Sequence, residues 1–556
     1  MTDLEIAQSA TINPITELAA RLGMDGSTIQ MFGNYKAKIP LSVIDEEKAA
    51  KSKLILVTAM TPTPAGEGKT TTSVGLCDGL NEIGKNATVV LREPSLGPCF
   101  GMKGGAAGGG QSQVVPMEDI NLHFTGDFRA VETANNLLAA LIDNELHQSG
   151  KGPDDIDPQS VTWKRVMDMN DRALRNIISG LGGKAGGIPR ETGFNITAAS
   201  EIMAILCLSS DLMDLKKKLG NIHIGQRYDN GGVQARDIRA NGAMAVILKD
   251  AVMPNLVQTL EGNPAIIHGG PFANIAQGTN SVIASRMGLS LADYAVTEAG
   301  FGADLGAEKF FNIKCRYGNL RPRAVVIVAT IRALKFHGGV PLRELTTPDT
   351  AAVADGFANL NRHIDNVAQF GVPAVVAINR FGSDSDEEIE QVRKLCAEKG
   401  VPAEVNDAWA QGGKGATELA ETVARAADQF DGDFTPTYDW EAGVEEKIQA
   451  IARKIYRAES VVLGPKARAC LHSIKKLGLE NLPVCIAKTQ YSFSDNPKLT
   501  GAPEGFELAV SDIEIAAGAG FLIPVTGSLM RMPALPREPA ALNMDVNANG
   551  MISGMI

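Results

Sequence analysis

The stretch from Leu54 to Thr72 constrains the fold more than any other part of the chain. A short apolar run, Leu54 to Val57, breaks into a segment rich in Pro and Gly, and the chain restarts as Lys69-Thr70-Thr71. The apolar run predicts a buried strand, and the apolar residues after Lys69 recur at helical spacing. A strand joined to a helix by a glycine loop presents backbone N–H groups and a helix N-terminus to an anion. The stretch therefore predicts a phosphate-binding loop.

The residues of this loop predict the details of nucleotide binding. Lys69 adds a full positive charge, and Thr70 is placed to reach a Mg²⁺ ion bound with ATP. The match to the G-x-x-x-x-G-K-[ST] pattern is imperfect, because Thr63 stands where the first glycine is usual. The alternative is a glycine turn beside a surface lysine, but the order of strand, loop and helix favours a nucleotide. The predicted nucleotide-binding residues are Ala65, Gly66, Glu67, Gly68, Lys69, Thr70, Thr71 and Thr72.

Length, charge and cysteine spacing exclude several classes of protein. A chain of 556 residues predicts two to four domains at roughly 150 residues per domain. The net charge of −11 argues against a nucleic-acid or anionic-membrane partner. The cysteines lie far apart without a C-x-x-C pair, so neither a zinc site nor a disulfide framework is indicated. No signal sequence or apolar run of membrane-spanning length is visible, and we expect a soluble cytoplasmic protein.

A second β run, Ala87 to Leu91, follows the first helix and ends in Arg92. Ligands of open α/β sheets bind outside the carboxyl ends of the strands, so Arg92 should lie at the same edge as the phosphate loop. Its guanidinium can form two parallel hydrogen bonds to a carboxylate or a phosphate. The alternative is a salt bridge with Glu93 or another acid at the edge, and the residues alone leave both readings open.

Further apolar runs also end in polar residues, which predicts ligands along one sheet edge. The runs are Ala324–Thr330, Pro373–Ile378, Pro483–Ala487 and Phe521–Thr526. The predicted fold class is α/β: a P-loop NTPase-like, mostly parallel sheet flanked by helices, with further smaller α/β domains. The predicted domains are a nucleotide-binding domain over residues 1–360 with a large insertion at about 130–300, a second α/β domain over 361–470, and a small third one over 471–556. Helices are predicted near 130–145, 200–215 and 384–398.

Three other features suggest a site or a surface. The segment Gly101–Gly110 holds six glycines in ten positions, which indicates a role for its backbone, for positive φ angles or for close approach of a ligand or another chain, with a flexible linker as the alternative. Trp409 lies in a polar, glycine-rich stretch, where it is either a stacking platform for a planar ligand or a core residue. Lys38 is most simply a solvated surface charge.

Several long stretches resemble formate–tetrahydrofolate ligase, also called 10-formyltetrahydrofolate synthetase, of the monofunctional bacterial type. They are Thr61–Thr70, Gly101–Gly110, Gln113–Asp127, Val328–Gly339 and Lys488–Asp495. The resemblance runs essentially from end to end. One departure lies directly after the glycine segment, where this chain has Gln111 and the family usually has Tyr.

This resemblance implies an enzyme of one-carbon metabolism that acts in tetrahydrofolate interconversion. ATP, formate and tetrahydrofolate would give ADP, phosphate and 10-formyltetrahydrofolate through formyl phosphate. Two anions must then lie close together, which requires fixed positive charge. Lys69 and the loop amides would supply it for ATP, and Arg92 would bind formate and then formyl phosphate; these two residues are the predicted catalytic pair.

The resemblance also implies the folate site and the accessory factors. Phe381 and Trp409 would enclose the pterin ring, Asn379 would contact adenine, and Asp127 would make a polar contact with folate. ATP with Mg²⁺, a monovalent cation (K⁺ or NH₄⁺) as activator and a homotetramer are implied as well.

The principal rival is a P-loop switch ATPase of the partition or metal-insertion type, in which hydrolysis drives a rearrangement of a dimer. It would account for Gly66–Thr72 but leaves Phe381, Trp409 and the glycine segment without a purpose. A related regulatory subunit with a damaged site is a third reading.

Overall fold

The structure is a computed structural model of the whole chain, and it describes residues 1–64, 66–101, 107–527 and 529–555. Ala65, one of the predicted nucleotide-binding residues, lies outside the described residues, as does the middle of the glycine segment at 102–106. The remaining predicted site residues are all described.

Along the chain, most of the helices lie between consecutive strands. Their bounds are α1 Asp3–Ser9, α2 Ile15–Arg21, α3 Glu46–Lys51, α4 Lys69–Glu82, α5 Leu96–Phe100, α6 Met117–Asn121, α7 Asp127–Gln148, α8 Glu201–Leu208, α9 Leu212–Gly220, α10 Ala240–Leu248, α11 Val282–Leu291, α12 Arg316–Gly318, α13 Ile331–His337, α14 Thr350–Gln369, α15 Asp386–Glu398, α16 Ala408–Gln411, α17 Thr417–Gln429, α18 Val444–Ile451 and α19 Pro465–Lys476. Within the described residues, none of them is both long and apolar enough to cross a membrane.

The strands divide into one large sheet and several small ones. Their bounds are β1 Gln30–Met31, β2 Ala37–Lys38, β3 Lys53–Ala59, β4 Ala87–Leu91, β5 Gly108–Gly109, β6 Ser112–Val115, β7 Arg165–Met167, β8 Ile177–Ser179, β9 Arg190–Thr192, β10 Phe194–Ile196, β11 His223–Gln226, β12 Gly232–Gln234, β13 Asn255–Thr259, β14 Pro264–Ile267, β15 Tyr294–Glu298, β16 Pro322–Thr330, β17 Ala374–Asn379, β18 Ala403–Asn406, β19 Ser460–Leu463, β20 Glu507–Ala516, β21 Phe521–Thr526, β22 Asp545–Val546 and β23 Ile552–Ser553.

The large sheet runs in the order β1-β2-β13-β14-β4-β15-β3-β16-β17-β18, with the hairpin β5-β6 joined to β13. From β14 to β18 every neighbouring pair is parallel. The strand β15 lies between β3 and β4. The β3-α4-β4 unit, which contains the phosphate loop, therefore crosses over one intervening strand. The carboxyl ends of β4, β15, β3, β16, β17 and β18 therefore meet at one edge, where ligands of such sheets bind.

Both faces of this sheet are covered, which explains why its strands are apolar without alternation. In β3, Leu54 and Leu56 pack into one hydrophobic cluster, while Ile55 and Val57 pack into another on the opposite side. The first cluster includes residues of α11, α13 and α14, and the second includes residues of α4 and α17. The predicted α/β class, with a mostly parallel sheet flanked by helices and smaller sheets beside it, is confirmed.

Most of the predicted strands and helices are present, both near the phosphate loop and far from it, and two predictions are corrected. The strands at 87–91 and 521–526 match their predicted bounds. The helix predicted over 200–215 is two helices, because the Asp211 side chain accepts hydrogen bonds from the N–H groups of Met213 and Asp214 and starts a new helix. The run at 483–487 forms only isolated bridges, Val484 to Leu522 and Ala487 to Val525.

The central sheet takes strands from several of the predicted domains. β13, β14 and β15 lie within the stretch expected as an insertion, and β17 and β18 lie within the expected second domain. The division of the chain into domains stays a prediction.

Candidate active site

The phosphate loop lies between the end of β3 and the start of α4. Gly66 and Gly68 have φ angles of 77° and 69°, in the left-handed region that favours glycine. Gly68 is the N-cap residue, so α4 begins at Lys69 with Lys69, Thr70 and Thr71 in its first turn. The first-turn amides and the Lys69 ammonium thus belong to one short segment, as an anion-binding helix terminus requires.

Glu67 fastens this loop to the neighbouring strand. Its side chain is buried, and one carboxylate oxygen accepts hydrogen bonds from the N–H and the hydroxyl of Thr63. The other oxygen accepts a 2.6 Å bond from the Thr330 hydroxyl at the end of β16. The loop is therefore closed on itself and tied to the sheet edge through one carboxylate.

Asn379 supports the same loop from the end of β17. Its amide nitrogen donates to the Glu67 carbonyl at 2.8 Å, and its amide oxygen accepts from the Thr72 hydroxyl at 2.8 Å. Asn406 on β18 donates to that same oxygen at 2.6 Å. A Cβ atom at Gly68 would lie 2.8 Å from the Asn379 amide nitrogen, so a larger residue there would displace this contact.

An acid that sequence reasoning missed joins the two predicted catalytic regions. Glu298 ends β15 and is only 3% exposed. One of its oxygens accepts a 2.8 Å hydrogen bond from the Thr70 hydroxyl, and the other lies 3.4 Å from Nε of Arg92. The run Tyr294-Ala-Val-Thr-Glu298 carried the available signal, since it is a short strand-like segment that ends in an acid.

Arg92 lies at the predicted edge, directly after β4, with its side chain 26% exposed. The predicted alternative, a salt bridge at the sheet edge, is also present. The partner of Arg92 in it is Glu298 rather than Glu93. A Cβ atom at Gly300 would lie 3.0 Å from an Arg92 terminal nitrogen, so the chain after Glu298 passes close to the guanidinium. Arg92 is therefore held at this edge with part of its side chain accessible.

Glu93, the next residue, points the other way into the protein. It is buried, and its Oε2 has no hydrogen-bond partner among the described residues. Burial raises the pKa of Glu93 well above its usual range, and the nearby carboxylates of Asp127 and Asp168 act in the same direction.

Phe381 and Trp409 follow the ends of adjacent parallel strands. Asn379 and Asn406 are register partners in β17 and β18, and the two aromatic residues come two and three positions later. Trp409 is 55% exposed, which is unusual for so large an aromatic side chain and contradicts the alternative of a core tryptophan. Both rings are thus carried by the edge that holds the phosphate loop.

The end of the glycine segment packs beneath Trp409. The N–H of Gln111 donates a 2.8 Å hydrogen bond to the Trp409 carbonyl, and a side chain at Gly110 would overlap that carbonyl and the indole ring. Gly110 thus lies directly against a residue of the same chain, and the predicted close approach of this segment to a ligand or another chain stays a prediction. Because Gln111 makes the contact through its backbone, the replacement of the family's usual tyrosine leaves this bond intact.

Asp127 and Lys38 form a buried ion pair. Nζ of Lys38 lies 2.7 Å from one Asp127 oxygen, and Asn255 donates to the other at 2.8 Å. The side chains are 1% and 2% exposed, so the prediction that Lys38 is a solvated surface charge was wrong. The partner of Lys38 is Asp127, which lies far away in the sequence, so the spacing of residues alone does not reveal this ion pair. The predicted contact of Asp127 with folate stays a prediction, and both of its oxygens have protein partners.

A family model described as formate–tetrahydrofolate ligase matches residues 1–556. The chain belongs to this family. Members of the family are enzymes that join formate to tetrahydrofolate with ATP, so the predicted activity, substrates and nucleotide are those of the family. The switch-ATPase alternative is not supported.

Proposed function

We propose that this formate–tetrahydrofolate ligase assembles its reaction at the carboxyl edge formed by β4, β15, β3, β16, β17 and β18. The observation that carries the proposal is the Glu298 carboxylate, which contacts Thr70 of the phosphate loop and Arg92 of the neighbouring region. One buried acid thus sets the spacing between a phosphate-binding group and a carboxylate-binding group. That spacing suits a reaction in which two anions must meet.

The reaction proceeds in two steps. A formate oxygen attacks the γ-phosphorus of ATP, the bond to the β,γ-bridging oxygen breaks, and ADP leaves with formyl phosphate remaining. N10 of tetrahydrofolate then attacks the formyl carbon, the carbon–oxygen bond to phosphate breaks, and N10 loses its proton to solvent. Activation is needed because formate itself is a weak electrophile.

The residues contribute mainly charge and position. Lys69 and the amides of the first turn of α4 stabilise the γ-phosphate as its charge is redistributed. Arg92 binds formate through its planar fork and then holds the formyl phosphate. Glu298 orients Arg92 and keeps Thr70 in place.

The oxygen donors at this edge fit a Mg²⁺ ion bound with ATP. The Thr70 hydroxyl and the Glu298 carboxylate are ligands of the kind that Mg²⁺ prefers, and they are in contact with each other. When bound, the ion would neutralise part of the phosphate charge. Thr70 and Glu298 would hold it beside the loop.

A monovalent cation fits the buried Glu93. The Glu93 oxygen that has no partner among the described residues is a hard donor in a site that burial makes unfavourable for a bare carboxylate. We expect Glu93→Gln to weaken the activation of ligation by K⁺. If the activity of Glu93→Gln still rises with K⁺ as it does in the parent, the assignment of the cation to Glu93 is contradicted.

Phe381 and Trp409 would enclose the pterin, which places the folate beside the formyl group. In this proposal Asn379 supports ATP binding by holding the phosphate loop in place. Its amide oxygen accepts a hydrogen bond from Thr72, and its amide nitrogen donates one to Glu67. A homotetramer and a cytoplasmic location complete the proposal on the basis of the family resemblance.

The test is a coupled assay with an Arg92 variant. Purified protein should release ADP only when formate and tetrahydrofolate are both present, and acid should convert the product to the methenyl chromophore. Arg92→Ala should abolish ligation while ATP still binds. ADP release that is independent of formate, without the chromophore, would overturn the proposal.

A further inference from the structure

We propose that Arg332 is a positioning residue for folate, which acts by backing the ring of Phe381. This inference rests on the proposed pterin role of Phe381. The Arg332 guanidinium carbon lies 3.6 Å from the centroid of the Phe381 ring. At that distance a planar guanidinium covers one face of the ring, and a planar ligand can stack only on the other face.

The helix α13, which carries Arg332, is anchored both to the phosphate loop and to helix α15. Thr330 caps α13 by accepting the Ala333 N–H, and its hydroxyl donates to Glu67 of the phosphate loop. Lys335, one turn after Arg332, forms a fully buried 2.8 Å ion pair with Glu388. The position of Arg332 is therefore fixed relative to the phosphate loop and to the segment that follows Phe381.

The backbone of Phe381 is held as firmly as its ring. The Phe381 N–H donates a 2.8 Å hydrogen bond to Asp384, whose own N–H returns a bond to the Phe381 carbonyl. Glu388 completes a capping box with Ser385 at the start of α15. With the turn closed at residues 381–384, rotation of the side chain is the main freedom left to the ring, and Arg332 limits that rotation.

A ring fixed before the ligand arrives binds it better, because less conformational entropy is lost on binding. The stacked cation also interacts favourably with the ring face. Arg332 would then affect the KM for tetrahydrofolate and leave the KM values for ATP and formate unchanged. From the sequence, Arg332 was assigned no role.

The experiment is a double-mutant cycle with steady-state kinetics for all three substrates. The variants are Arg332→Met, which keeps much of the apolar stem and removes the charge, Arg332→Lys, Phe381→Ala and the double variant Arg332→Met/Phe381→Ala. Arg380→Met is the matched control, because Arg380 precedes Phe381 but is an exposed residue paired with Asp386. Thermal unfolding of each variant separates folding defects from site defects.

We expect Arg332→Met to raise the KM for tetrahydrofolate by about 2- to 30-fold, the range of a cation–ring contact. Arg332→Lys should lie between the parent and Arg332→Met, and Arg380→Met should match the parent. In the Phe381→Ala background, Arg332→Met should add nothing. A purely structural role of Arg332 would not produce this lack of a further effect.

Three results would overturn the inference. If Arg332→Met adds its full effect in the Phe381→Ala background, and the effect vanishes with tetrahydropteroate, which lacks the glutamate, then Arg332 binds the glutamate directly. If Phe381→Ala raises the KM for tetrahydrofolate but Arg332→Met does not, the ring needs no backing. If Phe381→Ala itself leaves that KM unchanged, the pterin role under the proposed function fails, and this inference fails with it.

Discussion

The hydroxyl of Thr70 donates a 2.8 Å hydrogen bond to the buried carboxylate of Glu298. Thr70 belongs to the first turn after the phosphate loop, and Glu298 ends the strand inserted between the loop strand and the Arg92 strand. The contact brings together parts of the chain more than two hundred residues apart. It is the physical link between the proposed ATP and formate sites.

Removing the charge of Glu298 should impair the use of formate. Glu298→Gln keeps the size of the side chain but loses the ionic contact with Arg92, so we expect kcat/KM for formate to fall about 10- to 100-fold, the size of a hydrogen bond to a charged group. Glu404→Gln is a matched control, because Glu404 also contacts a threonine and an arginine, Thr422 and Arg393, away from the loop. Equal effects of both variants would contradict the proposed role.

Nucleotide selectivity separates the two roles considered for Asn379. If it supports the loop, Asn379→Ala should raise the KM for ATP and for GTP by the same factor, because the phosphates are common to both. If it contacts adenine, the ratio of the two KM values should change. Steady-state kinetics with both nucleotides decides between these roles, and a changed ratio would restore the adenine contact.

The Lys38–Asp127 pair should matter for stability. Asp127→Asn leaves the Lys38 ammonium buried without its counter-charge, and breaking such a pair costs about 3–5 kcal/mol. Lys38→Met/Asp127→Leu should be less destabilised than the sum of the single variants, as denaturant unfolding can measure. A raised KM for tetrahydrofolate in Asp127→Asn but not in Lys38→Met would instead support the predicted contact with folate.

Asp78 on the phosphate-loop helix should make stability depend on pH. Burial raises the pKa of Asp78 to about 7, despite hydrogen bonds from Asn263 and Thr259. The folded protein therefore holds a proton that the unfolded chain releases above pH about 4, and the contribution of this group to stability falls as pH rises from about 4 to 7.

Asp78→Asn removes this titration but can still accept both hydrogen bonds. The free energy of unfolding of the variant minus that of the parent should therefore rise by a few kcal/mol as pH rises across that interval, so the variant gains stability relative to the parent. Unfolding curves in urea at several pH values check the slope. A difference between variant and parent that stays constant with pH would show that Asp78 titrates normally.

Arg332 and Phe381 illustrate what a linear pattern hides. Both residues follow apolar runs that were predicted as strands, and the resemblance assigned Phe381 to the pterin. Their stacking depends on β16 and β17 being neighbours, with Thr330 opposite Asn379 in the register. No spacing within the chain carries that information, because Arg332 and Phe381 belong to separate strand–helix units.

The sequence by itself determined the local units of this protein and the family to which it belongs. The apolar runs that form the buried strands, the glycines of the phosphate loop with left-handed backbone angles and the first turn of α4 are set by short-range sterics and hydrogen bonding, so they can be read from neighbouring residues. The tertiary structure decided which strand ends meet. Glu298 reaches Thr70 and Arg92, and Lys38 reaches Asp127, only because the order of strands in the sheet differs from their order along the chain.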